Sequence, residues 1–398
     1  MEHLDEPSRA PDRSTAIAKL GDLAAESGLH RVSMLAWRDL DDPEAGGSEV
    51  HASTVAKLWG EAGIEVTMRT SHAAGHPQVS WRDGYRVIRK AGRYMVFPRG
   101  AFSEMMGWHG ARDGLVEIWN GTPWFSPVWA SGPRVCFLHH HHAEMWDMTL
   151  PPRLARMGRV LESRIAPPFY RRTPIVTLSE SSKTELIEEM GFKAKRITVV
   201  PPGIDDRFTP AGEKSPTPLV VAAGRLVPVK RYDHLIDVLV EVKQRHPRLE
   251  AVIAGEGYER ERLETQRHEA DAEAWIHLPG RITDDELLDL YRRAWVLAGA
   301  AAREGWGMTM TEAAACGTPA VATRIAGHLD AVAPDRSGLL VDNRDEFVAA
   351  LDAVLRDEAL RTRLAAGALD HASRFTWEAT ALGTLEVLAA AARRRPRG

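Results

Sequence analysis

Short β-branched runs alternate with helical stretches along this chain, and the alternation begins twice, once on each side of a proline-rich segment at Val199–Pro210. Strand, helix and strand in that order form a βαβ unit, whose right-handed crossover gives parallel strands covered by helices. Two such runs joined by a linker predict an α/β chain with two doubly wound parallel-sheet domains in tandem. The 398 residues are enough for both, and 44% apolar with 27% charged residues is the balance of a packed globular chain.

On the first side the pattern predicts strands near 32–37, 64–68, 85–88, 115–118, 135–138 and 175–178, with a helix over 48–61. On the second it predicts strands near 219–223, 251–254, 275–278, 296–300, 319–323 and 339–341. Helices over 232–245, 259–269, 284–294, 309–316 and 346–355 fall between or after them. A last helix begins at Trp377. The division that follows is a disordered tail over 1–14, domains over 15–208 and 209–375, and a closing segment over 376–398. Doubly wound domains bind ligands at the carboxyl ends of their strands, so a ligand between two of them meets both sets of loops.

Charge and composition exclude several classes. Lys plus Arg number 51 against 55 Asp plus Glu, a formal net charge of −4, so no overall positive field draws the chain onto nucleic acid. Two cysteines far apart, Cys136 and Cys316, make neither a disulfide framework nor a thiolate metal site, and a cytoplasmic setting is expected. The polar, acidic start lacks the basic and apolar regions of a secretory signal. No run of 18 apolar residues occurs, and no basic amphipathic helix stands out by periodicity, so membrane contact is expected to be peripheral at most.

Several loops at predicted strand ends carry chemistry. Gly46 and Gly47 precede the first predicted helix, where free N–H groups suit an anion; a plain tight turn capped by Ser48 is the competing reading. Gly224-Arg225 and Lys230-Arg231 cluster cations at the corresponding place in the second half, and Arg225 with Lys230 could clamp a diphosphate. Gly255-Glu-Gly257 has Arg260 where a dinucleotide fingerprint needs its third glycine, so it shapes a pocket floor and gives no support to a nicotinamide cofactor.

The most specific segment is Glu304-Gly-Trp-Gly-Met-Thr-Met-Thr-Glu312. Gly305 and Gly307 open the chain so that the N–H groups of Met308 and Thr309, at a helix start, can face a sugar or phosphate. Glu312 can accept from vicinal hydroxyls such as those of a ribose, and Glu304 would face a sugar. Histidines 139–142 follow a strand, but consecutive extended residues point in alternate directions and cannot all ligate one ion; no metal site is expected. The aromatic stretch Trp119–Trp129 is read as fastening a long loop to the core, with a stacking surface for a sugar as the alternative.

Together these segments resemble the retaining nucleotide-sugar glycosyltransferases of family four, which have the two-domain GT-B architecture. Ser179-Glu-Ser-Ser-Lys183, Pro202-Gly-Ile-Asp205, Gly317-Thr-Pro319 and Gly338-Leu-Leu-Val341 extend the match over nearly the whole chain. The resemblance implies an N-terminal acceptor domain, a C-terminal donor domain and a last helix that crosses back. It implies that Arg225 and Lys230 bind the donor diphosphate and Glu312 the ribose. Glu304, with the N–H groups of Gly307 to Thr309, would hold the transferred sugar, and the backbone near Arg281 and Ile282 the base. Gly46, Gly47, Gly224, Gly255, Gly305 and Trp306 complete the expected donor site, and His140 or His142 would stand near the anomeric carbon.

The implied reaction moves a hexose-type sugar from a UDP- or GDP-linked donor to an acceptor hydroxyl on a lipid, a glycan or a small metabolite. It uses same-face attack and no metal or other cofactor. Asp284 would either meet a guanine edge or cap the helix that follows it. A phosphorylase or epimerase of the same architecture, and a nucleotide-sugar-binding regulator without turnover, are the competing classes. Product analysis separates the enzymes, and binding without donor consumption marks the regulator.

Overall fold

The computed structural model describes residues 13–394. The N-terminal half opens with α1 (Arg13–Ser27), β1 (Arg31–Leu35), α2 (Gly47–Glu61) and β2 (Glu65–Arg69). A hairpin of β3 (Val79–Arg82) and β4 (Tyr85–Ile88) leads to α3 (Val96–Met105), β5 (Gly114–Trp119), α4 (Ser126–Trp129) and β6 (Arg134–Leu138). Then come α5 (Met145–Thr149), α6 (Pro152–Val160), a π turn over Leu161–Ile165, α7 (Pro167–Tyr170), β7 (Ile175–Thr177), α8 (Glu180–Glu188) and β8 (Ile197–Val199).

Across the linker the alternation is strict: β9 (Leu219–Ala223), α9 (Tyr232–Lys243), β10 (Glu250–Ala254), α10 (Arg260–Glu269), β11 (Ile276–Gly280), α11 (Asp284–Arg293) and β12 (Val296–Gly299). It continues with α12 (Met308–Ala315), β13 (Ala320–Thr323), α13 (His328–Ala331), β14 (Gly338–Val341), α14 (Arg344–Arg356), α15 (Glu358–Ala372) and α16 (Trp377–Arg393).

The first sheet has the order β3-β4-β2-β1-β5-β6-β7-β8, parallel except for the β3–β4 hairpin, and the second the order β11-β10-β9-β12-β13-β14, parallel throughout. Strand β9 pairs with β10 residue for residue from Leu219↔Glu250 to Ala223↔Ala254, which brings their carboxyl ends level. Both central strands are buried on both faces, as helices on either side require.

Helix α16 returns to the N-terminal half. Trp377, Ala381, Leu385, Leu388 and Ala389 join the core of β1, β2 and α2, and the Trp59 indole N–H donates to the Ala381 carbonyl at 3.0 Å. The chain thus crosses between halves twice. The crossings touch: Ile204 bridges Thr376 in parallel, and the Ile204 N–H donates to the Phe375 carbonyl at 3.2 Å. Gly203 lies where a Cβ would fall 2.1 Å from the Trp377 nitrogen, so only glycine lets the strands pass this closely.

Some expectations need correction. Residues 1–12 of the predicted tail lie outside the described residues, while Arg13 and Ser14 open α1. The Arg13 guanidinium ties α1 to Glu61 of α2 and Glu378 of α16. Helices α1 and α15, the edge strand β3 and strand β8 were not predicted. Thr283 caps α11, with Glu286 returning the bond to complete a capping box, and Asp284 instead pairs with Arg207 at 2.6 Å. Trp119 and Trp124 are buried, as the core-fastening reading of that loop expects. The two backbone N–H groups of Trp124 and Ser126 and the Tyr170 hydroxyl all donate to the buried Glu117 carboxylate.

Candidate functional site

Loops at the carboxyl ends of the strands in both sheets meet across a cleft, and the contacts are made by residues singled out in the sequence. A Cβ on Gly46 would lie 3.6 Å from Nε of Arg225, and one on Gly47 would lie 3.0 Å from Sδ of Met308. A Cβ on Gly305 would lie 2.9 Å from Nδ1 of His140. A side chain at Gly47 or Gly305 would crowd the opposite half, whereas at Gly46 it would make only ordinary contact.

Helix α2 does not start as expected. Gly46, not Ser48, is its N-cap, and the Gly46 N–H donates to the helix's own Glu49 at 2.8 Å, so this N–H is already satisfied. The other Glu49 oxygen accepts from Nε of the buried Arg38 at 3.2 Å. Ser48 accepts from the Asn120 amide instead.

Opposite Arg38 stands Arg225. Among the described residues its guanidinium has no hydrogen bond or ion pair; Glu49, Glu304 and Glu44 act on it only through their charge, and burial with Arg38 nearby lowers its pKa. An arginine so placed stays charged and has its donors unspent. The loop that carries it is held by glycines. Gly224 has φ +145° and its N–H donates to the Ala254 carbonyl; a Cβ on Gly255, at φ +147°, would fall 1.9 Å from the Gly224 oxygen. Gly255 therefore serves loop-on-loop packing, as a floor.

Lys230 and Glu304, 74 positions apart, form an ion pair. Burial alone would raise the Glu304 carboxyl, but Lys230 beside it, with help from the Arg225 charge, holds it below the usual range. His328 is buried, and its Nδ1 lies 2.9 Å from the Thr323 carbonyl, so that nitrogen is the donor and the ring, which burial also keeps neutral, turns Nε2 toward Gly307. Sequence reasoning missed both arrangements.

Gly307 caps α12 at φ +101°, so Met308 and Thr309 begin the helix, and their N–H groups have no backbone acceptor among the described residues. The Trp306 indole points away, into the core against Phe375, so only its backbone faces the turn. Glu312 is half-buried on α12 and accepts from the Tyr291 hydroxyl at 3.3 Å. Burial pushes its carboxyl up to about 7 against that hydrogen bond, and the charge of Asp284 adds to the rise. Arg281 is exposed and Ile282 half-buried at the carboxyl end of β11.

The histidine run alternates. His140 and His142 stack at 4.7 Å on one side; on the other, His139 packs edge-on against buried His51, and His141 bonds Glu189 and Ser163. Glu162 of the π turn accepts from the His142 backbone N–H at 3.1 Å and from the Trp146 indole at 2.7 Å. His140 is the one that reaches the Gly305 turn, and its Nε2 is buried with no partner among the described residues. No group of three or more His, Cys, Asp or Glu among the described residues is arranged to hold a metal ion.

The halves are latched beside the site. Asp330 accepts from the N–H groups of Glu180 and Ser181 at the start of α8, and Arg303 pairs with Glu185 at 2.9 Å. Ser179 and Ser182 both donate to the Gly305 carbonyl at 3.3 Å. The Ser179–Lys183 segment therefore holds the glutamate turn in place, a role that its sequence alone does not reveal.

This geometry coincides with two family models end to end. Residues 45–208 match Glycosyltransferase Family 4, and residues 204–370 match Glycosyl transferases group 1. A D-inositol 3-phosphate glycosyltransferase of Salinispora arenicola is 34% identical over 402 residues, 86% of this chain and 87% of that protein. The chain belongs to glycosyltransferase family 4. The D-inositol 3-phosphate glycosyltransferase of Xylanimonas cellulosilytica is 29% identical over 92% of this family-4 chain and 98% of its own length. The family-4 architecture is GT-B. Sucrose-phosphate synthase from Thermosynechococcus elongatus superposes with a TM-score of 0.77 at 19% identity, covering 89% of this chain and 97% of that one. Anabaena HepE in complex with UDP-glucose gives 0.68 at 17% identity, covering 89% and 98%. The protein is a glycosyltransferase, and no described helix is long and apolar enough to cross a membrane.

Proposed function

We propose that this glycosyltransferase moves a hexose-type sugar from a UDP- or GDP-linked donor to an acceptor hydroxyl, with retention at the anomeric carbon and without a metal. The observation that carries the reading is the Arg225 guanidinium, unpaired among the described residues and set with Lys230 at the strand ends that face the Glu304 turn. As the glycosidic bond breaks, the sugar gains positive character and the diphosphate gains negative charge. Arg225, Lys230 and the N–H groups of Met308 and Thr309 oppose that charge where it develops. Glu304 exchanges part of its bond to Lys230 for the sugar hydroxyls, and His140 lies across the cleft from the same turn.

Acceptor choice falls to the N-terminal half. Arg69, at the end of β2, is buried with its Nη1 on the His109 ring and its Nε unpartnered among the described residues, and Lys90, Arg86 and Arg69 all act on His109, which burial holds at about 4. Such a cluster suits an acceptor with a negative charge, and D-inositol 3-phosphate, which names the relatives, is the first to try. The test incubates the protein, with and without a chelator, with UDP- and GDP-sugars and that acceptor, and reads the products by NMR. A new α-glycoside from an α-linked donor in both conditions supports the reading. A sugar 1-phosphate, an isomerised donor, an inverted linkage or a need for metal contradicts it.

Glu312 adds a pH dependence. If its carboxylate holds the ribose, protonation below about pH 7 removes an acceptor, so nucleotide affinity is expected to fall about tenfold between roughly pH 8 and pH 6. Calorimetry on the wild type and on Glu312→Gln checks this. The variant should bind weakly with a flat profile, and an unchanged slope in the variant assigns the titration elsewhere.

A further inference from the structure

Helix α6 is built the wrong way round for a helix on the surface of a water-soluble domain. Its small residues, Ala155 and Gly158, face inward, and Gly158 meets Trp146 so closely that a Cβ would fall 2.6 Å from the indole. Its large apolar residues, Leu154, Met157 and Val160, are exposed. The apolar surface continues through Ile165 of the π turn and Phe169 of α7. It passes from α7 to α4, where Val128 is exposed, and from α4 to α3, where Phe102, Met105, Met106 and the following Trp108 are exposed. Phe169 stacks edge-on against Phe125 at 5.5 Å at the junction. Scattered apolar residues on a surface need no explanation, but a face that runs over four helical elements does.

The charge on this face is one-sided. In a chain of net charge −4, residues 152–172 carry six arginines and a single carboxylate, Glu162. Glu162 is buried and turned inward to His142 and Trp146, so the solvent side of this segment is cationic. Arg153, Arg156, Arg164, Arg171 and Arg172 are exposed and have no ion pair among the described residues; Arg159 pairs with Asp147. A basic amphipathic helix does exist here, contrary to the expectation from periodicity, because the apolar residues lie outward and the inward face is made of small ones.

We propose that the face formed by α3, α4, α6 and α7 docks on the surface of an anionic lipid bilayer. Large apolar side chains interleaved with unpaired arginines match a headgroup layer, where the apolar tips enter the acyl boundary and the guanidiniums meet phosphates. Charge complementarity selects this occupant over a second copy of the chain. A symmetric contact between two copies would set the unpaired arginines against one another with no exposed carboxylate in the segment to answer them. Docking would also place the cleft near the membrane: α5, against which α6 packs, contacts the 228–230 turn that carries Lys230, and Glu162 joins the π turn to the histidine run. The inference does not depend on the donor or on the anomeric outcome.

The test is co-sedimentation of the full chain with vesicles of pure phosphatidylcholine and with vesicles that also contain phosphatidylglycerol, at low and high salt. The expected result is binding to the phosphatidylglycerol vesicles alone, weakened by salt. Each arginine near an anionic surface is worth roughly fivefold in partitioning, so Arg153→Glu/Arg156→Glu/Arg164→Glu should lower binding more than about a hundredfold. Leu154→Ser/Met157→Ser should lower it as well, and unchanged thermal midpoints show that both variants fold. No binding by the wild type, or equal binding by either variant, overturns the proposal. So does a dimer in analytical ultracentrifugation that either variant converts to a monomer, since the face then belongs to a second copy.

Discussion

Lys230→Ala is expected to lower turnover by about two to three orders of magnitude, the usual cost of removing one preorganised charge at a leaving group. The same change has a structural effect that must be separated from the chemical one. Glu304 keeps its position but loses the cation that holds its carboxyl down. The two side chains are 22% and 25% exposed, so water reaches the pair, and the cost of orphaning Glu304 is about 2 kcal/mol rather than that of a fully buried charge. Lys230→Ala/Glu304→Gln removes the stranded charge. It is expected to recover the lost stability in a denaturant titration while turnover stays low. If the double variant also regains turnover, Lys230 serves only to neutralise Glu304, and its assignment to the donor is wrong.

Gly203→Ala is expected to be the most disruptive single methyl group in the chain's linker. The added carbon would fall 2.1 Å from the Trp377 nitrogen and 2.4 Å from the Thr376 carbonyl carbon, and both are backbone. Neither neighbour can rotate away, so one crossing must move. The cost is roughly 3 kcal/mol or more, the upper range for overpacking. It should appear where α16 leaves the linker: faster amide exchange at Trp377–Ala381 and a lower thermal midpoint, with the interior of the second sheet still protected. An unchanged midpoint would mean that the crossings are not held as closely as the Ile204–Thr376 bridge indicates.

What could be read from the sequence follows from what each element buries. Parallel central strands such as Leu219–Ala223 are covered on both sides and appear as unbroken apolar runs, and the glycine and cation that follow mark the strand's end. The glutamate turn was legible for a similar reason, since Gly305 and Gly307 stand directly before a helix. Helices α1 and α15 escaped because their inward stripes are Ala16, Leu20, Ala24 and Leu364, Ala368, Ala372. Alanine gives little contrast with its neighbours, so the period is faint. Strand β3 is an antiparallel edge with Trp81 exposed, which reverses the usual alternation. The Lys230–Glu304 pair, the Asp330 latch on α8 and the inward Glu162 join residues far apart in sequence, where local pattern carries no signal. Trp306 shows the converse: a residue in the right motif whose side chain the fold uses as core.

Arg225 offers the most direct test of the donor site, because its guanidinium spends no hydrogen bond on the other described residues and can be removed with little structural cost. Calorimetry should compare UDP and GDP with UMP and GMP on the wild type and on Arg225→Ala. One of the diphosphates should bind the wild type at least about tenfold more tightly than its monophosphate, and that advantage should vanish in the variant. A diphosphate that binds Arg225→Ala as tightly as it binds the wild type would place the pyrophosphate elsewhere and contradict the proposed site.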